Sequence, residues 1–331
     1  MKARELLVLW MGSALAAACT GEVPDEGASD DDSATHSLES WIVVERVESD
    51  AGSPAVRTNV SAKFVHVGEN DLDMARRLVG AGPQIPAPGT CVELSSLEER
   101  SIPGSRSALS VDLVDVGDVS LAIQGEDDTT KMSLAPRAFP DIGDFVSGVF
   151  YTSPDAALGL PAPAAYRIGA TGSPSMQGFD IDVLAPEAPS GLAVAGTTID
   201  AAEEEAAPAT IEVAKGRDLE LGWAASSREA TESLVYVDVR AGGEAHRCTF
   251  ADAGSAVLPG AMLSEADGEA TVTVHRLTER VATIQWSEEP EGQRRFGDGV
   301  PKVSTDEAKE ARVMFDFARV VRLSIVPNSV R

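Results

Sequence analysis

The chain has few cationic residues for its length. Its 331 residues include 27 lysines and arginines against 53 aspartates and glutamates, so the formal net charge is −26 and the isoelectric point is near 4.4. A surface of this charge repels the phosphates of nucleic acids and the headgroups of anionic lipids. We therefore expect no nucleic-acid partner and no electrostatic adhesion to a membrane.

The sequence also lacks the local motifs of the common enzyme classes. It contains no Gly-x-Ser-x-Gly, no Ser three residues before a Lys, no His-Glu-x-x-His, no P-loop and no Cys-x-x-Cys. Its four histidines are scattered: His36, His66, His246 and His275. We expect a structural or solvated role for each, and a triad assembled from distant residues is the alternative. The sequence therefore assigns no catalytic residue, no cofactor and no metal ligand.

Paired carboxylates and a few aromatic residues are the other candidates for a site. The acid pairs lie near predicted turns: Asp115 with Asp118, Asp141 with Asp144, and Asp180 with Asp182. Calcium sites and glycosidases use such pairs, but turn aspartates that bond their own backbone are commoner, and we favour that structural role. Three aromatic side chains could stack on a sugar or peptide: Tyr151, Trp223 and Trp286. Trp223 ends an alternating strand pattern, which instead favours the core.

Cysteine is scarce, and the first of the three cysteines follows an export signal. Lys2 and Arg4 form a basic start, and the apolar stretch from Leu6 to Leu15 is too short to span a bilayer as a folded helix. Small residues follow it. This pattern predicts a secretory signal over residues 1–18. No other stretch is long and apolar enough to span a membrane.

The end of this segment, Leu15 to Cys19, resembles the lipobox of bacterial lipoproteins, with Ala16 where leucine is usual. The resemblance implies that Cys19 is acylated and becomes the N-terminus of a lipid-anchored protein. Several acyl chains would hold the protein stably on a membrane. Thr20 after the cysteine implies the outer membrane if the cell is Gram-negative. Ordinary secretory cleavage is the alternative, and both readings place the protein outside the cytoplasm.

Residues 19–40 are predicted to be a disordered tether, because Thr20 to Ser40 carries seven acidic residues and no Lys or Arg. From Trp41 onward, short apolar and β-branched runs separated by Gly, Pro, Asp and Ser predict strands. The first half contains strands at 41–44, 60–67, 91–94, 109–116, 119–123, 145–151, 166–170 and 179–184. The second half contains strands at 192–194, 211–213, 219–223, 234–240, 247–250, 270–275, 281–286 and 313–326. Helices are predicted over Asp71–Val79 and near Ser304–Glu307.

A proline- and glycine-rich break from Pro186 to Gly191 predicts a domain boundary. The predicted architecture is mainly β, with an N-terminal β-rich domain over residues 41–186 and a C-terminal domain over residues 187–331. Both are expected to be of the β-sandwich type. The second has about seven strands, which is the count of an immunoglobulin-like domain.

Three segments of the second half resemble the Ig-like second domain of a group of bacterial extracellular proteins: Leu219–Trp223, Val235–Val239 and Cys248–Gly254. The first half is similar to the same group at Val114–Val119 and Tyr166–Phe179, with Ser173 where a second glycine is usual. The resemblance implies a fold and no known activity.

Cys91 and Cys248 are the two remaining cysteines, and each lies in a strand pattern of an exported chain. Such pairs tend to oxidise outside the cytoplasm. We favour a disulfide between them, and two buried free cysteines are the alternative.

The sequence therefore predicts a lipid-anchored extracytoplasmic protein with a binding or structural role and a protein or glycan partner. The alternative is an extracytoplasmic hydrolase that acts on glycan or peptide through carboxylates from separate loops. A deep cleft that joins buried acids with a histidine or a metal would favour the hydrolase, and a shallow surface would favour the binding protein.

Overall fold

The computed structural model describes residues 36–49, 55–68, 71–100, 111–124, 129–139, 146–153, 159–174, 176–199, 210–226, 233–264, 266–287 and 310–327. Over these residues the protein is mainly β, which confirms the predicted fold class. Within the same residues, no helix has both the length and the apolar character needed to cross a membrane.

Within the described residues, the first half contains nine strands and two helices. They are β1 (His36–Ser49), β2 (Ala55–Gly68), α1 (Leu72–Leu78), β3 (Cys91–Glu93), α2 (Leu94–Arg100), β4 (Val111–Leu113), β5 (Val119–Gln124), β6 (Thr129–Ala138), β7 (Val146–Thr152), β8 (Ala164–Ala170) and β9 (Phe179–Ala185). The second half contains β10 (Leu192–Val194), β11 (Thr197–Ile199), β12 (Ile211–Ala214), β13 (Leu219–Gly222), β14 (Ser233–Ala241), β15 (Glu244–Ala251), β16 (Ser255–Leu258), a 3₁₀ helix (Gly260–Leu263), β17 (Gly268–Trp286) and β18 (Glu310–Val326).

Strand pairing closes on itself around the first core. The ring runs β1, β2, β7, β6, β5, β8, β9, β17 and β18, and β18 pairs in parallel with β1 to complete it. Alternate residues of these strands point inward, because successive side chains of a strand lie on opposite faces. The interior is filled with apolar side chains, among them Phe64 and Phe179, which meet edge to face with ring centroids 5.4 Å apart. This closed sheet is therefore a packed core.

A two-layer sandwich encloses the second core. One layer runs β12, β18, β17, β14, β15 and β3, and the other runs β11, β10, β13 and β16. Apolar residues from both layers meet between them, including Leu221 from β13 and Val237 from β14. The second half thus has the sandwich arrangement expected from its strand pattern.

Two long strands belong to both cores. On β18, Phe315 and Phe317 point into the first core, whereas Leu323 and Ile325 point into the second. β17 and β18 pair with each other from Gly268 to Thr283, so one ladder crosses the junction. Residues Thr35–Arg331 accordingly form one compact unit. The break at Pro186 separates two cores along the chain, but the chain after it returns to the first core.

A buried arginine fixes the position of the Pro/Gly-rich segment from Pro186 to Gly191. Arg276 lies on β17 at an inner position between the two cores, and its side chain is 2% exposed. Its guanidinium donates to the carbonyl oxygens of Ala188 and Ala224 and forms an ion pair with Asp252, at 2.9 Å between Nε and Oδ2. The segment therefore has fixed contacts with the sandwich, although its composition is that of a linker.

Several predicted boundaries need correction. β1 begins at His36 and not after residue 40, because Leu38 and Ser40 are already buried. The strands predicted at 270–275 and 281–286 are one strand, β17. Leu94 begins a helix, α2, and does not end a strand. The helix predicted at 71–79 is confirmed as α1, whereas the one predicted near Ser304 lies outside the described residues.

Candidate functional site

The turn aspartates fulfil structural roles where they are described. Asp115 accepts a hydrogen bond from the backbone N–H of Gly117 at 2.9 Å and another from the Tyr151 hydroxyl at 2.8 Å. The same hydroxyl accepts the Val116 N–H at 2.9 Å, so it satisfies a buried backbone donor. The Asp118 N–H donates to Thr171. Asp141 and Asp144 lie outside the described residues.

Three other sequence candidates, Asp182, Trp223 and Trp286, have partners among the described residues. Asp182 forms a two-pronged pair with Arg167 on the surface of β8 and β9, and this pair lowers the pKa of Asp182. Trp223 lies in the second core, and its indole N–H donates to Asp252 at 2.7 Å. Burial alone would raise the pKa of Asp252, but the bonds from Trp223 and Ser226 and the charge of Arg276 outweigh it, so the pKa is lowered. Trp286 packs against the first core.

Cys91 and Cys248 are register partners on β3 and β15, and their sulfur atoms are 2.08 Å apart. The pair fixes the end of a strap, residues 81–90, that crosses the sheet. Gly82 of the strap lies so close to the sheet that a Cβ there would be 2.7 Å from the Met314 sulfur. The two cysteines thus fix the end of a strap that covers the sheet. Their positions in the sequence do not reveal this role.

The strap covers part of the outer face, which we define as the side of β2, β1, β18, β17 and β14 that points away from both cores. A small apolar cluster there contains Val43, Tyr236, Leu277 and Met314, and Ile85 of the strap packs against it. A second apolar cluster on this face contains Trp41, Val65 and Val67 and packs against α1. The part of the face around Glu45, His275 and Asp316 is polar. This polar part holds the strongest candidate site among the described residues.

A buried carboxylate orients a histidine on this face. The Asp316 carboxylate receives the Tyr236 hydroxyl on one oxygen and lies 2.9 Å from His275 Nδ1 through the other. Nδ1 is therefore the ring nitrogen that faces the carboxylate, and Nε2 is the one that faces away from it. No described residue hydrogen-bonds Nε2. The arrangement has the acid–histidine half of a catalytic triad without an adjacent hydroxyl or thiol among the described residues.

Three side chains stack to hold the imidazole in place. The His275 ring lies on the Tyr236 ring at 4.1 Å and 14°, and the Arg247 guanidinium lies 4.5 Å from the centroid of that tyrosine ring. Arg247 also forms two hydrogen bonds with Asp238, at 2.7 and 2.8 Å, and donates to the carbonyl oxygen of Gln84 in the strap. Each ring and charge has a fixed neighbour, so the imidazole has little freedom to rotate.

The local charges keep these groups in defined protonation states. Burial raises the pKa of the Tyr236 phenol, and the Asp316 charge raises it further, so Tyr236 remains a donor. Burial disfavours the charged form of Arg247, but its bonds to Asp238 outweigh that effect and raise its pKa. Tyr236 and Arg247 therefore keep their protons near neutral pH and act as hydrogen-bond donors in the stack.

The histidine borders a groove of about 200 Å³ on the outer face, lined by Glu45, Val47, Arg57, Thr58, Asn59, His275 and Asp316. The register of β2, β1 and β18 places Asn59 beside Glu45 and Glu45 beside Asp316. The Asn59 amide donates to Glu45 at 2.8 Å. Arg57 is exposed and has no ion-pair or hydrogen-bond partner among the described residues. The groove thus combines a guanidinium, a free imidazole nitrogen and a carboxylate.

Two larger depressions each contain an ion pair among their lining residues. One, of about 450 Å³, lies beside the 187–191 segment and contains the Arg46–Glu48 ion pair. The other, of about 340 Å³, is an open surface around the Arg167–Asp182 pair. No set of three His, Cys, Asp or Glu side chains among the described residues is placed to hold a metal ion. We therefore take the outer-face groove as the candidate site.

A second buried titratable group, Lys63, has a structural position. Its ammonium donates to the carbonyl oxygen of Gly80 at 3.0 Å, at the C-terminal end of α1, and burial lowers its pKa. A cation at a helix C-terminus satisfies carbonyl groups that the helix leaves unpaired. Lys63 therefore fastens the helix to β2.

The sequence did not distinguish His275 from the other three histidines. His66 and His246 also lie in strands, and His36 begins β1. One sequence signal could have identified the site. It is a polar residue on the outward-facing side of a strand whose other side is apolar: Glu45 on β1, His275 on β17 and Asp316 on β18. No protein-family model matches this chain, and no curated protein is similar enough to count as a match.

Proposed function

We propose that the protein is a lipid-anchored, extracytoplasmic binding or structural protein that presents the outer-face groove to a ligand. The observation that supports this proposal is the structure of the groove. It is small and open, its polar groups are fixed on paired strands, and several of their hydrogen bonds are unused. Pre-positioned polar groups bind a ligand without an entropy cost for ordering them.

Photo-crosslinking in the native envelope tests the binding role. A photoreactive residue at position 47, which lines the groove and supplies no hydrogen bond from its side chain, should give an adduct that Glu45→Gln weakens. A photoreactive residue at position 257 is the matched control, because Val257 is an exposed valine on β16, outside the groove. Equal adducts at both positions, or none at position 47, would contradict a ligand in the groove.

The anchor part of the proposal depends on Cys19 and is tested separately. We expect labelled fatty acid to enter the wild-type protein, and Cys19→Ser to release the protein from membranes or leave an unprocessed precursor. An exported wild-type protein without label would show an ordinary secretory signal. A membrane position in the cell envelope, and the outer membrane in a Gram-negative cell, belongs to the same proposal.

The Ig-like assignment of residues 187–331 is also a proposal, supported by strand order. In chain order β10, β13, β14, β16, β17 and β18 correspond to strands A, B, C, E, F and G of an Ig sandwich. β10, β13 and β16 pair in one sheet, and β14, β17 and β18 pair in the other. This is the division of strands between sheets that an Ig domain has.

A hydrolase is the second candidate, because the Asp316–His275 pair opens on a groove that also contains Glu45. An imidazole oriented by a carboxylate can accept a proton from water. A hydrolase predicts turnover of chromogenic esters or glycosides that His275→Gln reduces by about 10²-fold or more. A binding protein predicts no turnover above the rate in buffer.

A further inference from the structure

We infer that the outer-face groove takes a neutral, polyhydroxylated group of the kind that a saccharide presents. This inference rests on the proposed binding function and names the chemical class of its ligand. The first step is the set of hydrogen-bonding groups that remain unused. The Arg57 guanidinium offers donors, one Glu45 carboxylate oxygen without a described partner offers an acceptor, and His275 Nε2 has no hydrogen-bond partner among the described residues.

Donors and acceptors therefore alternate in a space of about 200 Å³. A hydroxyl group is both a donor and an acceptor, so neighbouring hydroxyls on one ring can satisfy a guanidinium and a carboxylate together. Hydrogen bonds to charged groups are stronger than those between neutral partners. The groove thus matches a ligand that carries several hydroxyls at fixed spacing.

The groove has charges of both signs, so an ion of either sign meets a like charge as well as an opposite one. An anion would be attracted by Arg57 and repelled by the carboxylates of Glu45 and Asp316, whereas a cation would be attracted by the carboxylates and repelled by Arg57. Both Asp316 oxygens already accept hydrogen bonds from or contact Tyr236 and His275, and the Asp316 side chain is buried, so Glu45 is the more accessible carboxylate. A neutral ligand avoids both repulsions and still uses the free donors and acceptors.

The position of the groove favours a saccharide over a peptide. It lies across β2, β1, β18 and β17, and the last three of these are paired on both sides beside the groove, so an extended peptide cannot add a strand to them. Val47 is the only apolar residue among those lining it, so the groove offers no pocket for an apolar anchor. A saccharide that binds through its hydroxyl groups needs neither an unpaired strand edge nor an apolar pocket.

The site is also preorganised. Asn59 fixes one oxygen of Glu45, and the Thr152 and Ser153 hydroxyls lie 3.4 and 3.3 Å from the Asn59 side-chain oxygen. The stack on Tyr236 fixes His275. Arg57 is exposed and has no hydrogen-bond or ion-pair partner among the described residues, so it is the residue expected to move on binding.

Saturation-transfer NMR with the mature protein tests the inference. The probes are neutral oligosaccharides of glucose, galactose, mannose and N-acetylglucosamine, a sulfated oligosaccharide and an unrelated peptide. We expect transfer to at least one neutral oligosaccharide with a Kd of the order of 1 mM. Arg57→Gln and Glu45→Gln should each weaken it about tenfold. Arg167→Gln, which removes the same charge outside the groove, should leave it unchanged.

Each other outcome overturns the inference. Transfer to the sulfated oligosaccharide alone would show an anion site, and transfer to the peptide alone would show a peptide site. Binding that both groove variants leave intact would place the saccharide elsewhere. If folded protein shows no transfer while position 47 still forms the crosslinked adduct, the saccharide is wrong and the proposed binding function stands. If both signals are absent, the binding function fails as well.

Discussion

The two cores should unfold in a single step, because β17 and β18 contribute residues to both. Two substitutions on β18 test this. Phe317→Ala removes a fully buried ring from the first core, and Leu323→Ala removes a fully buried side chain from the second. Such changes cost about 3–5 kcal/mol for phenylalanine and about 2–5 kcal/mol for leucine.

The expected shift in melting temperature depends on the size of the unit that unfolds. A unit of about 300 residues has an unfolding entropy of about 0.6 kcal/mol/K, so a loss of about 4 kcal/mol lowers the Tm by about 6 °C. Two independent halves of about 150 residues have half that entropy each. A core substitution would then lower one transition by about 13 °C and leave the other in place.

Differential scanning calorimetry of the mature protein distinguishes these cases. One transition that both variants lower by a similar amount is the expected result. Leu184→Ala is the matched control, because Leu184 is 65% exposed on β9 and its loss should move the Tm by less than about 1 °C. Two transitions that the variants shift separately would refute the shared-strand reasoning and restore two independent domains.

Three further results are expected. The destabilisation by Asp252→Asn should be largest above about pH 5 and shrink as the pH falls below about 4, because the folded-state pKa is depressed and its contribution is lost on protonation. Urea titrations measure it, and a pH-independent difference would contradict the ion pair. Tyr151→Phe should cost about 1–3 kcal/mol in urea denaturation because a buried backbone N–H loses its acceptor, and no measurable loss would contradict this role. In unreduced, alkylated protein, mass spectrometry should find Cys91 and Cys248 unlabelled, and reduction should remove up to about 5 kcal/mol for a separation of 157 residues; two labelled cysteines would exclude the bond.

Local pattern was enough to predict most strands, because alternation and turn residues act within a few positions. Pairing partners were not predictable in the same way. β17 illustrates the difference: Arg276 and Thr278 place polar groups at inner positions, and the sequence therefore indicates a break after residue 275. In the structure the ladder with β18 carries the strand through these positions. Arg276 is tolerated there because distant carbonyls and Asp252 pair with it.

The candidate site also depends on strand pairing, which local sequence patterns do not predict. His275 and Asp316 are 41 residues apart, and Tyr236 and Asp316 are 80 apart. Their contact depends on the register of three strands, and no local motif encodes that register. A search for catalytic spacings therefore finds nothing in this chain, although the fold brings an acid and a histidine together.

The geometry of the groove and the packing of the first core are consequently set by the same strands. Asp316 lies between Phe315 and Phe317, and both of these rings are fully buried on the opposite face. Because side chains alternate across a strand, a shift of β18 by one residue would place a phenylalanine in the groove and a carboxylate in the core. The cost of burying that charge fixes the register, and the register fixes the carboxylate that orients His275. The position of the site is therefore a consequence of core packing, and it does not depend on the loops.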